Sequence, residues 1–355
     1  MKPGITTVVF FVFSLLGKMA DAQPPAGYYD PASGLTGKAL QQALHNIIKS
    51  HTVVPYSDLY KYFRTTDVKN DSVVWDMYSD RPGGVAAYLY VYGKGQECGN
   101  YNSEADCYNR EHSFPKSWFG DAAPMESDLF HLYPTDGYVN NRRANYPFGE
   151  IKSPAWVSTN GSKVGPCSFP GYSGVVFEPI DAYKGDFART MLYMAVRYMG
   201  EDTGWPGSEM VTGAEPKAWA LRMLMEWHRK DSVSSKETSR NNAVYVVQKN
   251  RNPFIDHPEF AEKIWEEASG VRIIAIADPN IQVYPNPATD YVQVNLTGFP
   301  MEKTIIMVYS ITGTLLERAE STSHAVRLSV AHLSRGAYLI KVNCGGQSAN
   351  SIFCK

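Results

Sequence analysis

The chain has 355 residues, 44% hydrophobic, 20% charged and 13% aromatic, which is the composition of a globular protein and not of a disordered one. It exceeds one ordinary domain and can bury a sizeable core. A formal net charge of −2 excludes an overall basic field, so any hold on nucleic acid must come from a local patch around Arg110, Lys116, Arg142, Arg143, Lys152 and Arg189.

In chain order, the first segment is Lys2, an apolar stretch from Ile5 to Leu16, and Ala20-Asp21-Ala22. It reads as a secretory signal peptide over residues 1–22, too short to span a bilayer. Leu40, Leu44, Ile47 and Ile48 predict a helix over 37–50. Val73–Tyr78 and Ala87–Tyr92 alternate like strands, joined through Pro82-Gly83-Gly84. Cys98 and Cys107 fit no zinc spacing, and an exported protein would join them in a local disulfide. Cys344 and Cys354 flank a terminal hairpin and are expected to pair likewise, which leaves Cys167 over.

Residues 107–150 carry the chemistry. A Glu-His pair, Glu111-His112, is followed by an apolar strand, a turn and an Asn-rich helix start. Glu111 can offer a carboxylate and Asn140 an amide oxygen to a hard cation, Mg2+ first, with Mn2+ or Ca2+ able to share such ligands. His112 can take a proton from water near neutral pH. Alternation sends the two side chains to opposite faces, so they meet one phosphate only where the strand ends, and Ser113-Phe114-Pro115 supplies the break. Arg142 and Arg143 are candidates to grip phosphate, His131 a group behind the reacting ones, and Asp136 a first-turn residue of the helix. Each piece alone has a bland reading: surface charge, turn asparagines, a solvated arginine pair.

Residues 152–182 read as loop with short strands. Helices are predicted over 183–199, with Phe187, Met191, Met194 and Tyr198 on one face, over 216–229 with Pro216 in the first turn, over 237–250, and over 259–268. Asp256 and His257 are expected to cap and pack, not to bind metal. From Val271 the chain turns to short alternating runs, VRIIAIA, YVQVNL, TIIMVYS, AVRLSV and AYLIKVN, at the intervals of a small sandwich.

The stretches CGNYNSEADCYNREHSFPKSWF (98–119), PMESDLFHLYPTDGYVNNRRANYPFGE (124–150), YKGDFARTMLYMAVRY (183–198) and QKNRNPFIDHPEF (248–260) resemble the bacterial endonuclease I family. The resemblance implies an α+β protein with a ββα-metal (His-Me finger) nuclease core and several packing helices. It implies His112 as general base, Glu111 and Asn140 as Mg2+ ligands, and cleavage of DNA, often RNA too, with little sequence preference and 5′-phosphate products. Some members carry a phosphate-binding arginine between the Glu-His pair and the second strand. Here that loop is Gly120-Asp121-Ala122-Ala123-Pro124, which leaves the role to Arg110, Arg142 or Arg143. VYPNPATDYVQV, SITGTLLE and LSRGAYLIKV resemble the C-terminal sorting domain of type IX secretion cargo, which implies outer-membrane secretion machinery as partner and a secreted or cell-surface location. The expected organisation is a signal peptide (1–22), a nuclease domain (23–270), a linker (271–280) and a β-sandwich sorting domain (281–355), acting as a monomer. The rivals are a catalytically idle nucleic-acid or surface-binding protein and a phosphodiesterase of small nucleotides.

Overall fold

The computed structural model describes residues 23–265, 280–297, 303–311, 313–344 and 347–355. The expected signal peptide, the run 271–277 and nearly all of the linker lie outside them. The chain divides into two units, Met1–Val271 and Arg272–Lys355. No described helix is long and apolar enough to cross a membrane.

The first unit begins with α1 (Gly37–Ile48), whose Leu40, Leu44 and Ile48 recur on one stripe and are buried. Then come α2 (Leu59–Thr66) and a two-residue pairing of β1 (Val68–Lys69) with β2 (Val73–Val74). The expected strands 73–78 and 87–92 do not form as such; the second makes a single bridge, Val73 to Val91. Its alternation serves tyrosine hydroxyls instead: Tyr88 and Tyr90 donate to Asp136 Oδ2 at 2.9 and 2.6 Å, and Tyr92 to the Asp67 carbonyl at 3.0 Å.

β3 (Tyr108–His112) pairs antiparallel with β4 (Leu132–Asp136), setting Glu111 opposite Tyr133 and His112 opposite Leu132. β4 runs straight into α3 (Gly137–Arg143). Asp136 is the cap of that helix and not a first-turn residue, its carboxylate accepting from the Val139 amide at 2.8 Å. Next, β5 (Trp156–Val157), β6 (Lys163–Pro166) and β7 (Val175–Glu178) form a three-stranded sheet.

α4 (Lys184–Arg197) is the central element. Every residue of it is buried, where the spacing predicted one apolar face. Its charges are met inside, Asp186 by Lys236 and Arg189 by Glu237. Arg189 therefore drops out of the expected surface patch. β8 (Val211–Thr212) and β9 (Glu215–Pro216) precede α5 (Ala218–Lys230), so Pro216 sits in a strand and not in the helix's first turn. α6 (Ser235–Gln248) opens two residues before the predicted start because Ser234 and Glu237 form a capping box. α7 (Pro253–Asp256) and α8 (Glu259–Trp265) close the unit. Asp256 takes the Arg251 guanidinium and the Tyr29 hydroxyl, while His257 is the C-cap of α7 and stacks on Phe260.

In the second unit β10 (Asn280–Tyr284), β11 (Tyr291–Thr297) and β14 (Ala325–Ser329) form one antiparallel sheet. β12 (Thr304–Ser310), β13 (Leu315–Ser321), β15 (Ala337–Cys344) and β16 (Gln347–Cys354) form the other, in the order β13-β12-β15-β16. Val292, Val294, Ile306, Val308, Ile340 and Val342 share one core, as strict alternation requires. The expected Cys344–Cys354 pairing fails on register: Cys344 faces Gln347 and Cys354 faces Ala337, at opposite ends of the ladder.

Candidate active site

β3 ends at His112, and its last two side chains leave on opposite faces. Glu111 turns inward and is 1% exposed. The Tyr78 hydroxyl donates to its Oε1 at 2.8 Å, and Arg143 Nε lies 3.4 Å from the same oxygen. Oε2 accepts no hydrogen bond among the described residues. Burial pushes the carboxyl up, against the pull of Arg143 and Tyr78.

Asn140 comes from α3. Its amide donates to Asn109 Oδ1 at 2.7 Å, and Asn109 lies on the same face of β3 as Glu111. Spending the NH2 there leaves the Asn140 Oδ1 as the atom free to meet a cation. One carboxylate and one amide make a hard-oxygen donor pair, the kind that holds Mg2+ with water and phosphate completing its shell. The described residues hold no cluster of three or more His, Cys, Asp or Glu suited to a metal.

His112 occupies the other face. Its Nε2 lies 3.0 Å from the Glu126 carbonyl, which can only accept, so Nε2 carries the proton and Nδ1 the lone pair. Tyr56 stacks on the imidazole at 5.9 Å and 21°, and Phe119 and His131 close in at 6.3 and 5.5 Å. Burial, reinforced by His131, Lys116 and Arg110, holds the ring well below the usual imidazole range. His131 itself is fully buried, with Nε2 2.6 Å from the Met125 carbonyl, and stands behind His112.

The arginines separate. Arg143 is 1% exposed and reaches back over the turn, donating Nη1 to the His112 carbonyl at 3.3 Å and Nη2 to the Ser113 carbonyl at 2.6 Å. It pins the end of β3 and flanks Glu111. Arg142 is exposed, tied to the Tyr138 hydroxyl and lying over Trp156 at 5.7 Å. Arg110 is half-buried between the Tyr56 and Tyr60 rings, at 4.1 and 4.9 Å. Lys116 pairs with Asp121 at 3.2 Å, and Lys152 is exposed.

The Cys98–Cys107 disulfide forms and fastens the segment just before β3. Cys167 is half-buried with its thiol pushed up by burial, so it offers no thiolate. Tyr78, Tyr56 and the Glu126 carbonyl escaped the sequence reading. They come from distant segments, and no spacing around Glu111-His112 points to them.

The Endonuclease I family profile matches residues 36–259, and that of the Secretion system C-terminal sorting domain matches residues 282–353. The chain is 40% identical over 247 residues to an extracellular ribonuclease of Bacillus amyloliquefaciens, covering 67% of this chain and 78% of that protein. It is 35% identical over 263 residues to an extracellular ribonuclease of Bacillus subtilis (strain 168), covering 71% and 84%. An extracellular deoxyribonuclease of Aeromonas hydrophila is 29% identical over 134 residues, covering 37% and 50%.

Proposed function

The chain belongs to the Endonuclease I family, and from that premise we propose a divalent-metal-dependent endonuclease that hydrolyses phosphodiester bonds in DNA and RNA with little sequence preference. It is a nuclease with a type IX sorting domain, secreted or held at the cell surface. The similarity to extracellular ribonucleases and deoxyribonucleases alike supports a substrate class that spans both sugars.

One observation carries the reading. The Glu126 carbonyl fixes the His112 tautomer, and burial keeps the ring neutral, so Nδ1 is a base without a proton of its own. His112 Nδ1 takes a proton from water as the water attacks phosphorus, the 3′ oxygen leaves, and a 5′-phosphate remains. Glu111 Oε2 and Asn140 Oδ1 would hold the ion, Mg2+ first and Mn2+ or Ca2+ by the same donors. A divalent ion held there would supply positive charge against the negative charge that builds in the reaction. Tyr78 and Arg143 keep Glu111 turned toward that position. In this reading β3, β4 and α3 are a ββα-metal (His-Me finger) motif, and the protein works as a monomer.

The test is cleavage of a single-stranded RNA and of a supercoiled plasmid by the full chain, with Mg2+ and with EDTA. The reading expects both to be cut with the ion and neither with EDTA. Cleavage unaffected by EDTA would refute the metal, and a folded chain that binds nucleic acid without cutting it would be an idle binding protein.

A further inference from the structure

Two residues before His112 on the same strand face, about 6.7 Å along β3, Arg110 borders a cleft of about 360 Å³ whose lining also includes Asn109. Tyr56 and Tyr60 form its aromatic walls, Glu97 its acidic one and the Cys98 disulfide its rim.

The cleft is a built feature. The segment carrying Glu97 is docked along the start of β3, with the Cys98 amide donating to the Tyr108 carbonyl at 3.1 Å and the Tyr108 amide to the Gln96 carbonyl at 2.9 Å. The Tyr108 hydroxyl donates to Glu97 Oε1 at 2.8 Å and fixes the carboxylate. Arg110 Nη1 donates to the Tyr56 carbonyl at 3.2 Å, which leaves other guanidinium donors for a ligand. Tyr56 belongs to both places, since its ring also stacks on His112.

We propose that this cleft is a subsite for one unpaired nucleobase beside the cleaved phosphate, and that it biases the enzyme toward single-stranded DNA or RNA. The inference rests on the nuclease reading above and names the substrate form it favours. Arg110 lies over the Tyr56 and Tyr60 rings, and a base entering the cleft would pack against this aromatic and guanidinium cluster, whatever its identity. Arg110 can donate to ring nitrogens or carbonyls of the base, and Glu97 can accept from an exocyclic amine. A base in a duplex would first have to leave its stack and its partner, whereas a single strand presents it at little cost.

The experiment uses the full chain with three substrates: a single-stranded DNA 20-mer, the same sequence as a duplex, and bis(p-nitrophenyl) phosphate. Tyr60→Leu and Glu97→Ala are expected to raise KM on the single strand about tenfold with kcat little changed, leaving the duplex and the small diester within about twofold. Tyr60→Phe keeps the ring and should keep the wild-type ratio. If Tyr60→Leu does not fold, Glu97→Ala alone decides. Equal losses on single strand and duplex, or no loss on either, would overturn the subsite and leave the nuclease reading intact. A wild-type chain that cuts none of the three would remove the nuclease reading and the subsite with it.

Discussion

The two units of this chain solve burial in different ways. Among the described residues, the sorting unit buries one polar side chain, Thr304, around an apolar core. The nuclease unit buries Asp67, Asp76, Glu111, Asp128, Arg143, Asp186, Arg189, Glu237 and Arg240, and threads them through its core as pairs and caps. A sandwich needs only alternation to form. A site that must keep one carboxylate and one imidazole in fixed poses needs partners for each, and those partners need partners too.

The contrast can be broken by measuring it. All seven tryptophans lie in the nuclease unit, so their fluorescence follows that unit alone, while far-UV dichroism also follows the sorting unit. The largest effect is expected from Arg240→Met. Arg240 pairs with Asp67 at 2.7 Å and donates to the Leu129 and Leu132 carbonyls at 2.6 and 2.7 Å, bracing the entry to β4. Its loss strands a buried carboxylate, and urea unfolding read by fluorescence should show a cost of about 3–5 kcal/mol. A cost under 1 kcal/mol would mean that the network is ornament.

Next comes the bond before β3. Cys98→Ser with Cys107→Ser frees a loop closed over a sequence separation of 9, and the nuclease unit should lose roughly 2–3 kcal/mol. The same unfolding curve checks it.

Acid should act at Asp128. Burial alone would raise its pKa, but His51, His131 and hydrogen bonds from Gln248 and the Phe130 amide outweigh it and hold the group at about 2. Its folded pKa is thus below the unfolded value. The stability it contributes, about 2 kcal/mol, is present above about pH 4 and is lost as pH falls from 4 towards 2. Stability measured over that range should flatten in Asp128→Asn; an unchanged acid slope would contradict the assignment.

The smallest effect belongs to the sorting unit. Ile340→Val removes one methylene from an apolar core and should cost about 1 kcal/mol by dichroism, with fluorescence unmoved.

The same contrast explains what could be read in advance. β11, β12, β14 and β15 follow directly from alternating runs, because the inward side chains there are apolar, Thr304 excepted, and pack by alternation alone. In the nuclease unit the Glu111-His112 pair, the strand break after it and the helix bearing Asn140 were legible, since they are adjacent in sequence. Tyr88, Tyr90 and Tyr92 alternate as a strand would, yet their period answers to Asp136 and Asp67, carboxyl and carbonyl groups far along the chain. The burial of Arg143 was not legible, because a sequence displays charge and not burial. Its place three residues after Asn140 on α3 turns it back toward β3, where two carbonyls were waiting.

The central claim is a division of labour across β3, with cation binding on the Glu111 face and proton transfer on the His112 face. Calorimetric titration of Mn2+ into wild type, Glu111→Ala and His112→Ala, with RNA cleavage assayed on the same samples, tests it most directly. The account predicts that His112→Ala binds the ion as wild type does but cleaves about a hundredfold or more slowly, and that Glu111→Ala loses both. A His112→Ala chain that cleaves at the wild-type rate, or a Glu111→Ala chain that still binds the ion and cleaves, would contradict it.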